Sequence, residues 1–565
     1  MMPGDRSNHV TPRMSDASEV VIDAGAPAGW LESGRLTTRL ITVALALVVL
    51  LGISARLNGL LVSFWMDEAW VANSLIEPTW AGVFYYPHWL QTSPPGFLAV
   101  AAATVAAFGH WHAAFRLLPL VSGLVGLGIV VWMSRRLSPA FGLLAVVIAA
   151  LSPTAIDYSR MLKQYSTDLA VAALLLAMTW RYVERPTGGR FTALAAALGL
   201  GLICAYGAVF TVGAVLALTS PVGLMLIGRS VEKRDVLRWA GLIAVAVAVL
   251  GVEYVALYLP NTSPELRRFW YTISLNRRDA DLLQTLFRHL VMFVRQMPVP
   301  AALHGIAIVA GAAVVAAGSV VGLRDRARRE TTVILLALGG LPVLAILASG
   351  MLDLYPNFER TSLFLLPGLA LLFAWNAQVL CGAARAFGQR TTGARPIGVI
   401  TAALFAIAGL TMLVDGVRNG LATVAPREDY EASVRYLGAE ARNGDVVFVH
   451  ACCSEGFRLY RTLQPWTTQP AVAVGETGQP CCRPGRPVVR HPLDRVGADI
   501  RRHVSAAFRG RVWIFSSDRA DYWRYSSLAP EGPVLRAALQ SDGCRWSSER
   551  RFVAMRVDML DCSGR

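Results

Sequence analysis

Two adjacent carboxylates, Asp67 and Glu68, stand in the segment FWMDEAW at 64–70, among tryptophans and just beyond an apolar run long enough to cross a bilayer. Carboxylates close to a bilayer are costly to keep there. A carboxylate so placed can serve as the general base that takes a proton from an attacking hydroxyl. The plainer alternative is that acidic residues in the first turn of a short helix offset its N-terminal partial charge. Composition is compatible with both.

Cations recur near the same boundary. The segment YSRMLKQYSTD at 158–168 holds Tyr158, Arg160, Lys163, Tyr165 and Asp168. Arg56 and Arg116 fall near ends of apolar runs, and NFERTS supplies Arg360. Together they form a set suited to an anionic lipid-phosphate leaving group, opposite the carboxylate pair. Any one of these arginines reads equally well as a side chain snorkelling to headgroups. His88, in YYPHW, and Asn357 fall in loops that line the same face and are assigned no chemistry. Glycine-rich phosphate loops, GxSxG and HExxH are absent from the sequence, which leaves nucleotide-driven and hydrolase chemistry without support. No CxxC spacing suggests a metal, and no cofactor is expected.

These residues must be held by membrane helices. The chain is 54% hydrophobic and only 16% charged, with a mean hydropathy of +0.46, against about 25% charged in soluble domains. Eleven spans are predicted, near 38–60, 113–134, 140–157, 167–184, 191–207, 208–227, 237–258, 299–322, 331–350, 362–382 and 396–415. The apolar stretch 96–108 is short and reads as an interfacial helix within a first outer loop, 61–112.

Arginine placement fixes the parity. The net charge is +15, and all but two of the 53 basic residues are arginine; the exceptions are Lys163 and Lys233. Basic clusters at 135–136, 181–190, 229–238, 324–329 and 385–395 then all face the cytoplasm, whereas 61–112 holds no Lys or Arg. That distribution is topological and calls for no nucleic-acid partner. The first 37 residues, polar and rich in Ser, Asp and Gly, read as a disordered cytoplasmic tail. Residues 38–415 form the transmembrane domain, and a multi-pass inner or plasma membrane location follows.

Residues 420–565 turn polar and read as an extracytoplasmic α/β domain, with a helix in EDYEASVRYLGAEA and strands in DVVFVHA, RVWIFSS and RFVAMRVDML. Six of the eight cysteines lie there, which suits an oxidising compartment. Cys544 and Cys562 bracket two strand-like runs joined near Glu549-Arg550, and a hairpin would bring them within disulfide reach.

Several of these segments, taken in order, resemble the GT-C glycosyltransferases of the protein O-mannosyltransferase and aminoarabinose-transferase superfamily, especially bacterial lipopolysaccharide-core transferases. The segments are Asp67-Glu68, Pro94-Pro95-Gly96, FRLLP with Arg116 and Pro119, SPTAIDYSRMLKQYSTD at 152–168, and ERTSLFLLPGLALL at 359–372. The resemblance covers roughly 38–415. It implies a polytopic α-helical GT-C fold and transfer of a sugar from a polyprenyl-phosphate donor to a glycan, lipid or protein hydroxyl on the extracytoplasmic face, with inversion. It implies Asp67 as base with Glu68 positioning it, and Arg116, Arg160, Lys163 and Arg360 as candidates for the donor phosphate. Tyr158, Tyr165, Asp168 and His88 would line the cavity. Where aminoarabinose transferases carry a lysine ahead of the loop proline, this chain has Thr92-Ser93.

Two other classes fit a polytopic chain. A lipid or glycan transporter or flippase should show internal repeats and broken helices with midplane polar residues; no second copy of the first half is visible in the sequence, and the ionisable residues cluster at the outer boundary. A non-catalytic membrane scaffold would have no need of the carboxylate pair with its cations.

Overall fold

A computed structural model describes residues 35–86, 93–261, 281–390, 395–475, 493–518 and 531–565. The N-terminal stretch read as a tail, His88, the basic loop with Arg267, Arg268, Arg277 and Arg278, and the doublet Cys481-Cys482 lie outside the described residues.

The chain is a helical bundle with a small mixed-sheet domain at its C-terminal end. Helix α1 (Arg35–Leu57) leads into three helices that precede the next long one: α2 (Met66–Leu75), α3 (Trp80–Phe84) and α4 (Pro95–Phe108). At 14 residues α4 is about 21 Å long, short of a hydrocarbon core of about 30 Å. Then come α5 (His112–Ser134), α6 (Pro139–Ala150), α7 (Pro153–Ser159), α8 (Tyr165–Glu184), α9 (Gly188–Cys204), α10 (Ala208–Thr219), α11 (Pro221–Leu226) and α12 (Lys233–Glu253). Each of the eleven predicted stretches falls on a helix or a broken helix.

Among the described residues, seven helices are long and apolar enough to cross a membrane, and α6 with α7, bent by 50°, makes an eighth. Helices α8 to α10 fall short for a physical reason. They are short, or carry charge such as Asp168, Arg181 and Glu184 in α8.

Serine–proline pairs start several of these helices. Ser152 accepts the Ala155 N–H at 3.1 Å with Pro153 at the first helical position, which produces the bend after α6. Ser220 and Pro221 repeat the device at α11. Small residues let α5 and α8 approach closely: a Cβ at Gly126 would lie 2.2 Å from the Leu169 side chain. That approach also brings Ser122 within 3.2 Å of Thr167.

The C-terminal domain holds strands β1 (Val446–Val449), β2 (Ala471–Val474), β3 (Arg511–Ser517), β4 (Arg545–Phe552) and β5 (Met555–Asp561), in the order β2-β1-β3-β5-β4. The first three are parallel, and β5 runs antiparallel to both neighbours. The predicted strand RFVAMRVDML is split: the chain turns at Val553-Ala554, where Ala554 has φ 56°, and not near Glu549-Arg550. Pairing of Phe552 with Met555 closes this two-residue hairpin, and β5 is buried continuously over Met555–Asp558. The expected disulfide joins Cys544 to Cys562.

Period-two alternation gives β3 two apolar faces. Val512 and Ile514 pack with Phe448, Ile500, Leu539 and Leu560. Trp513 and Phe515 face the other way, into a core that contains Val447, Tyr430 and Phe457 and also Phe64, Phe97 and Phe115 from the membrane part. That second core is shared across the two parts of the chain.

Candidate functional site

Loops from distant parts of the chain meet at the end of the bundle that carries the C-terminal domain. Asp67 is the second residue of α2. Its Oδ2 accepts from Arg360 Nη1 at 3.2 Å and lies 3.8 Å from Lys163 Nζ. Lys163 is almost wholly buried, and Asp67 and Arg360 are each about a fifth exposed. Burial pushes the Lys163 ammonium down to about 8; Asp67 pulls it back up and Arg360 adds to the fall. Arg360 also hydrogen-bonds the Tyr158 hydroxyl. Tyr158 packs edge-on to Tyr165 with ring centroids 4.9 Å apart.

A buried polar cluster continues from there. Asp168, buried in the first turn of α8, faces the backbone N–H groups of Tyr206 and Gly207. Its Oδ1 has no hydrogen-bond partner. The hydroxyl of Tyr206 donates to the Ser93 carbonyl at 3.0 Å. Burial pushes the Tyr355 hydroxyl up, with Asp168, Tyr165 and Tyr206 adding to the rise, which keeps it a neutral donor. Tyr206 and Tyr355 escaped the sequence reading, since single tyrosines in short loops carry no pattern.

The expected donor-phosphate cations do not all converge. Lys163 and Arg360 flank Asp67, as just described. Arg116 is turned to a different task. Its Nε and Nη2 each donate to Glu68 at 2.9 Å, and its Nη1 donates to the carbonyls of Leu60 and Val62 at 2.8 and 2.7 Å. Phe64 lies 4.6 Å beneath its guanidinium, and only 2% of the side chain is exposed. Four of its five N–H groups are thus taken inside the protein. Arg160 turns to Asp157, with which it pairs, and to the carbonyls of Ala55 and Asn58 at the end of α1. Arg56 binds the carbonyls of Gly52, Ala149 and Ala150.

Glu68 likewise holds structure together. Beyond Arg116, its Oε1 accepts the Leu162 N–H at 2.7 Å, which ties α2 to the loop that presents Lys163. The two adjacent carboxylates therefore have different partners: Glu68 locks the loops, and Asp67 meets Arg360 and Lys163. Among the described residues no group of three or more His, Cys, Asp or Glu side chains is placed to hold a metal ion.

Residues 92–255 match the family model for dolichyl-phosphate-mannose-protein mannosyltransferase. That stretch includes Arg116, Lys163 and Asp168 and excludes Asp67 and Arg360. Among curated proteins none matches the chain by sequence. Its structure is similar to that of ArnT from Cupriavidus metallidurans in the apo state, with a TM-score of 0.51 and 13% identity over 93% of this chain and 98% of that one. It is also similar to the archaeal oligosaccharyltransferase AglB from Archaeoglobus fulgidus in complex with an inhibitory peptide and a dolichol-phosphate, with a TM-score of 0.50 and 11% identity over 94% of this chain and 74% of that one. The fold is the GT-C glycosyltransferase fold that the sequence resemblance implied.

Proposed function

We propose that this chain is a membrane glycosyltransferase that takes a sugar from a polyprenyl-phosphate donor and passes it to an acceptor hydroxyl on the extracytoplasmic face, with inversion. The observation that carries the reading is the bracketing of Asp67 by Lys163 and Arg360 beside a buried cluster of tyrosines and Asp168. A carboxylate for the acceptor proton and cations for the leaving phosphate are the two needs of such a transfer. The match to a mannosyltransferase family that uses dolichyl phosphate, and the GT-C fold, support the same reading.

The step runs as a single displacement. The acceptor oxygen attacks the anomeric carbon while the bond from that carbon to the phosphate oxygen breaks. The acceptor proton passes to Asp67, and the departing polyprenyl phosphate gains one negative charge. Lys163 and Arg360, already fixed beside the site, stabilise that charge without reorganising. Before the donor arrives these cations neutralise Asp67. The donor phosphate competes for them, which leaves the carboxylate free to act as a base in the loaded site. Asp168 and Tyr355 offer an acceptor and a donor for the sugar hydroxyls beside Asp67.

The arginine-rich loops support an N-terminus in the cytoplasm and a C-terminal domain outside, the orientation in which the site faces the outer side. The test is mass spectrometry of envelope glycans, glycolipids and glycoproteins from a deletion strain. A sugar should disappear, return with the wild-type chain and stay absent with Asp67→Asn. An unchanged envelope would sink the reading.

A further inference from the structure

Helix α2 carries Asp67 but starts poorly. A helix leaves its first N–H groups without intrahelical partners, and a Ser, Thr, Asp or Asn at the N-cap usually satisfies one. Here the N-cap is Trp65, whose side chain makes no capping hydrogen bond. The missing acceptor comes from 362 positions away: Glu428 Oε2 accepts the Met66 N–H at 2.7 Å. Glu428 is wholly buried. Its neighbour Arg427 lies over the Trp65 ring at 4.9 Å and reaches Asp157, the partner of Arg160, at 3.8 Å.

Further contacts from the C-terminal domain repeat the pattern along α2. The Tyr460 hydroxyl accepts the Phe64 N–H at 2.8 Å. Asn73, near the other end of the helix, donates to the Glu455 carbonyl and carboxylate at 3.0 and 2.9 Å, and Tyr86 donates to the same carboxylate at 2.9 Å. The helix that carries Asp67 is therefore moored along its length by the C-terminal domain.

We propose that Glu428 is a positioning residue for the transfer: it caps α2 in place of Trp65 and so sets where the Asp67 carboxylate meets Lys163 and Arg360. This rests on the assignment of Asp67 as the base. It also gives the C-terminal domain a role, as the part that holds the catalytic helix in register with the loop at 160–164.

Three substitutions separate reach from charge, each in full-length protein in lipid nanodiscs. Glu428→Gln keeps an oxygen at the same reach and loses the charge, Glu428→Asp keeps the charge and loses the reach, and Glu428→Ala loses both. Deuterium exchange at residues 66–70, binding of undecaprenyl phosphate, and recovery of the missing envelope sugar in the deletion strain are read for each. Asp and Ala should speed exchange about tenfold and cut transfer about tenfold or more, while undecaprenyl phosphate binds within twofold of wild type. Gln should stay close to wild type in all three. Exposed Arg501→Ala, paired with Asp542 on the C-terminal domain, is the control and should change nothing.

Wild-type transfer in both Ala and Asp would overturn the proposal. So would an active Asp beside an inactive Gln, which would assign the effect to charge. If Ala fails to fold, shown by loss of the Cys544–Cys562 bond, the Asp and Gln pair decides alone. A deletion strain with an unaltered envelope would instead remove the transferase reading, and the positioning role with it, whatever α2 exchange shows.

Discussion

Asp67 and Arg360 stand 293 positions apart in the sequence and 3.2 Å apart across the site. The pair joins the first loop of the bundle to one of its last. Lys163 at 3.8 Å makes it a triad of one carboxylate between two cations. Its geometry sets opposite expectations for the two kinds of substitution. Asp67→Asn should lower turnover by about 10²–10⁴, the usual worth of a general base. Undecaprenyl phosphate should bind more tightly, because both cations lose their internal competitor. Turnover within tenfold of wild type, measured as sugar returned to the envelope per molecule of folded protein, would assign the base elsewhere.

Arg360→Ala and Lys163→Ala should each weaken undecaprenyl phosphate binding by at least tenfold and lower transfer with it. Arg116→Ala should act on stability. It leaves Glu68 buried without its partner, a change that costs about 3–5 kcal/mol, seen as a lower midpoint of thermal unfolding. Protein that remains folded should bind undecaprenyl phosphate as well as wild type. A binding defect with unchanged stability would return Arg116 to the phosphate.

The position of Lys163 near 8 gives a pH signature. Below that value the side chain is a cation and serves the phosphate. As pH rises through about 8 it becomes neutral, so kcat/KM for the donor, which reports the free enzyme, should fall. Lys163→Arg should move that alkaline limb upward, since a guanidinium stays charged across this range. A flat profile from pH 7 to 10 in the wild type would argue that Lys163 does not serve the phosphate.

Non-reducing peptide mapping should recover Cys544 linked to Cys562. In the chain-entropy account, a cross-link closing a loop of 18 positions stabilises by about 3 kcal/mol. Cys544→Ser with Cys562→Ser should lower the unfolding midpoint correspondingly. Both thiols alkylating without reduction would contradict the bond.

Reporter fusions check the orientation drawn from the loop arginines. Fusions after Ser138, Gly188 and Arg326 should read cytoplasmic, and fusions after Gly82, Gln164 and Gly420 should read outside. An outside signal at Ser138 would invert the site's face.

Helix positions were legible because apolar runs flanked by arginines need only one dimension to be read. The carboxylate pair and the cations were legible by type, but their division of labour was not. Arg116 and Arg360 look alike in sequence, and only the fold shows that one meets Glu68 and the carbonyls of Leu60 and Val62 while the other meets Asp67. Asp67 and Glu68 are neighbours in sequence, yet on a helix adjacent residues point about 100° apart, so one locks a loop and the other meets Lys163 and Arg360. The turn at Val553-Ala554 was missed because RFVAMRVDML reads as one β-prone run, with no Gly, Asn or Pro at the corner. Glu428 was out of reach, since nothing near it in the chain signals a helix 362 positions earlier.

The core shared by Phe64, Phe97 and Phe115 with Tyr430, Val447 and Phe515 bears on how the protein is made. The first loop leaves the ribosome early, but the surface that seats it is encoded in the last quarter of the chain. At about 5–20 residues per second, Met66 waits roughly 20–70 s for Glu428 to be synthesised. Until then the membrane helices can insert and pack, but α2 has no seat and its aromatic neighbours are bare. Nascent chains stalled after the last helix should therefore be substrates for chaperones and proteases. Helix α2 would be seated only after Glu428 and the strands behind it have been translated.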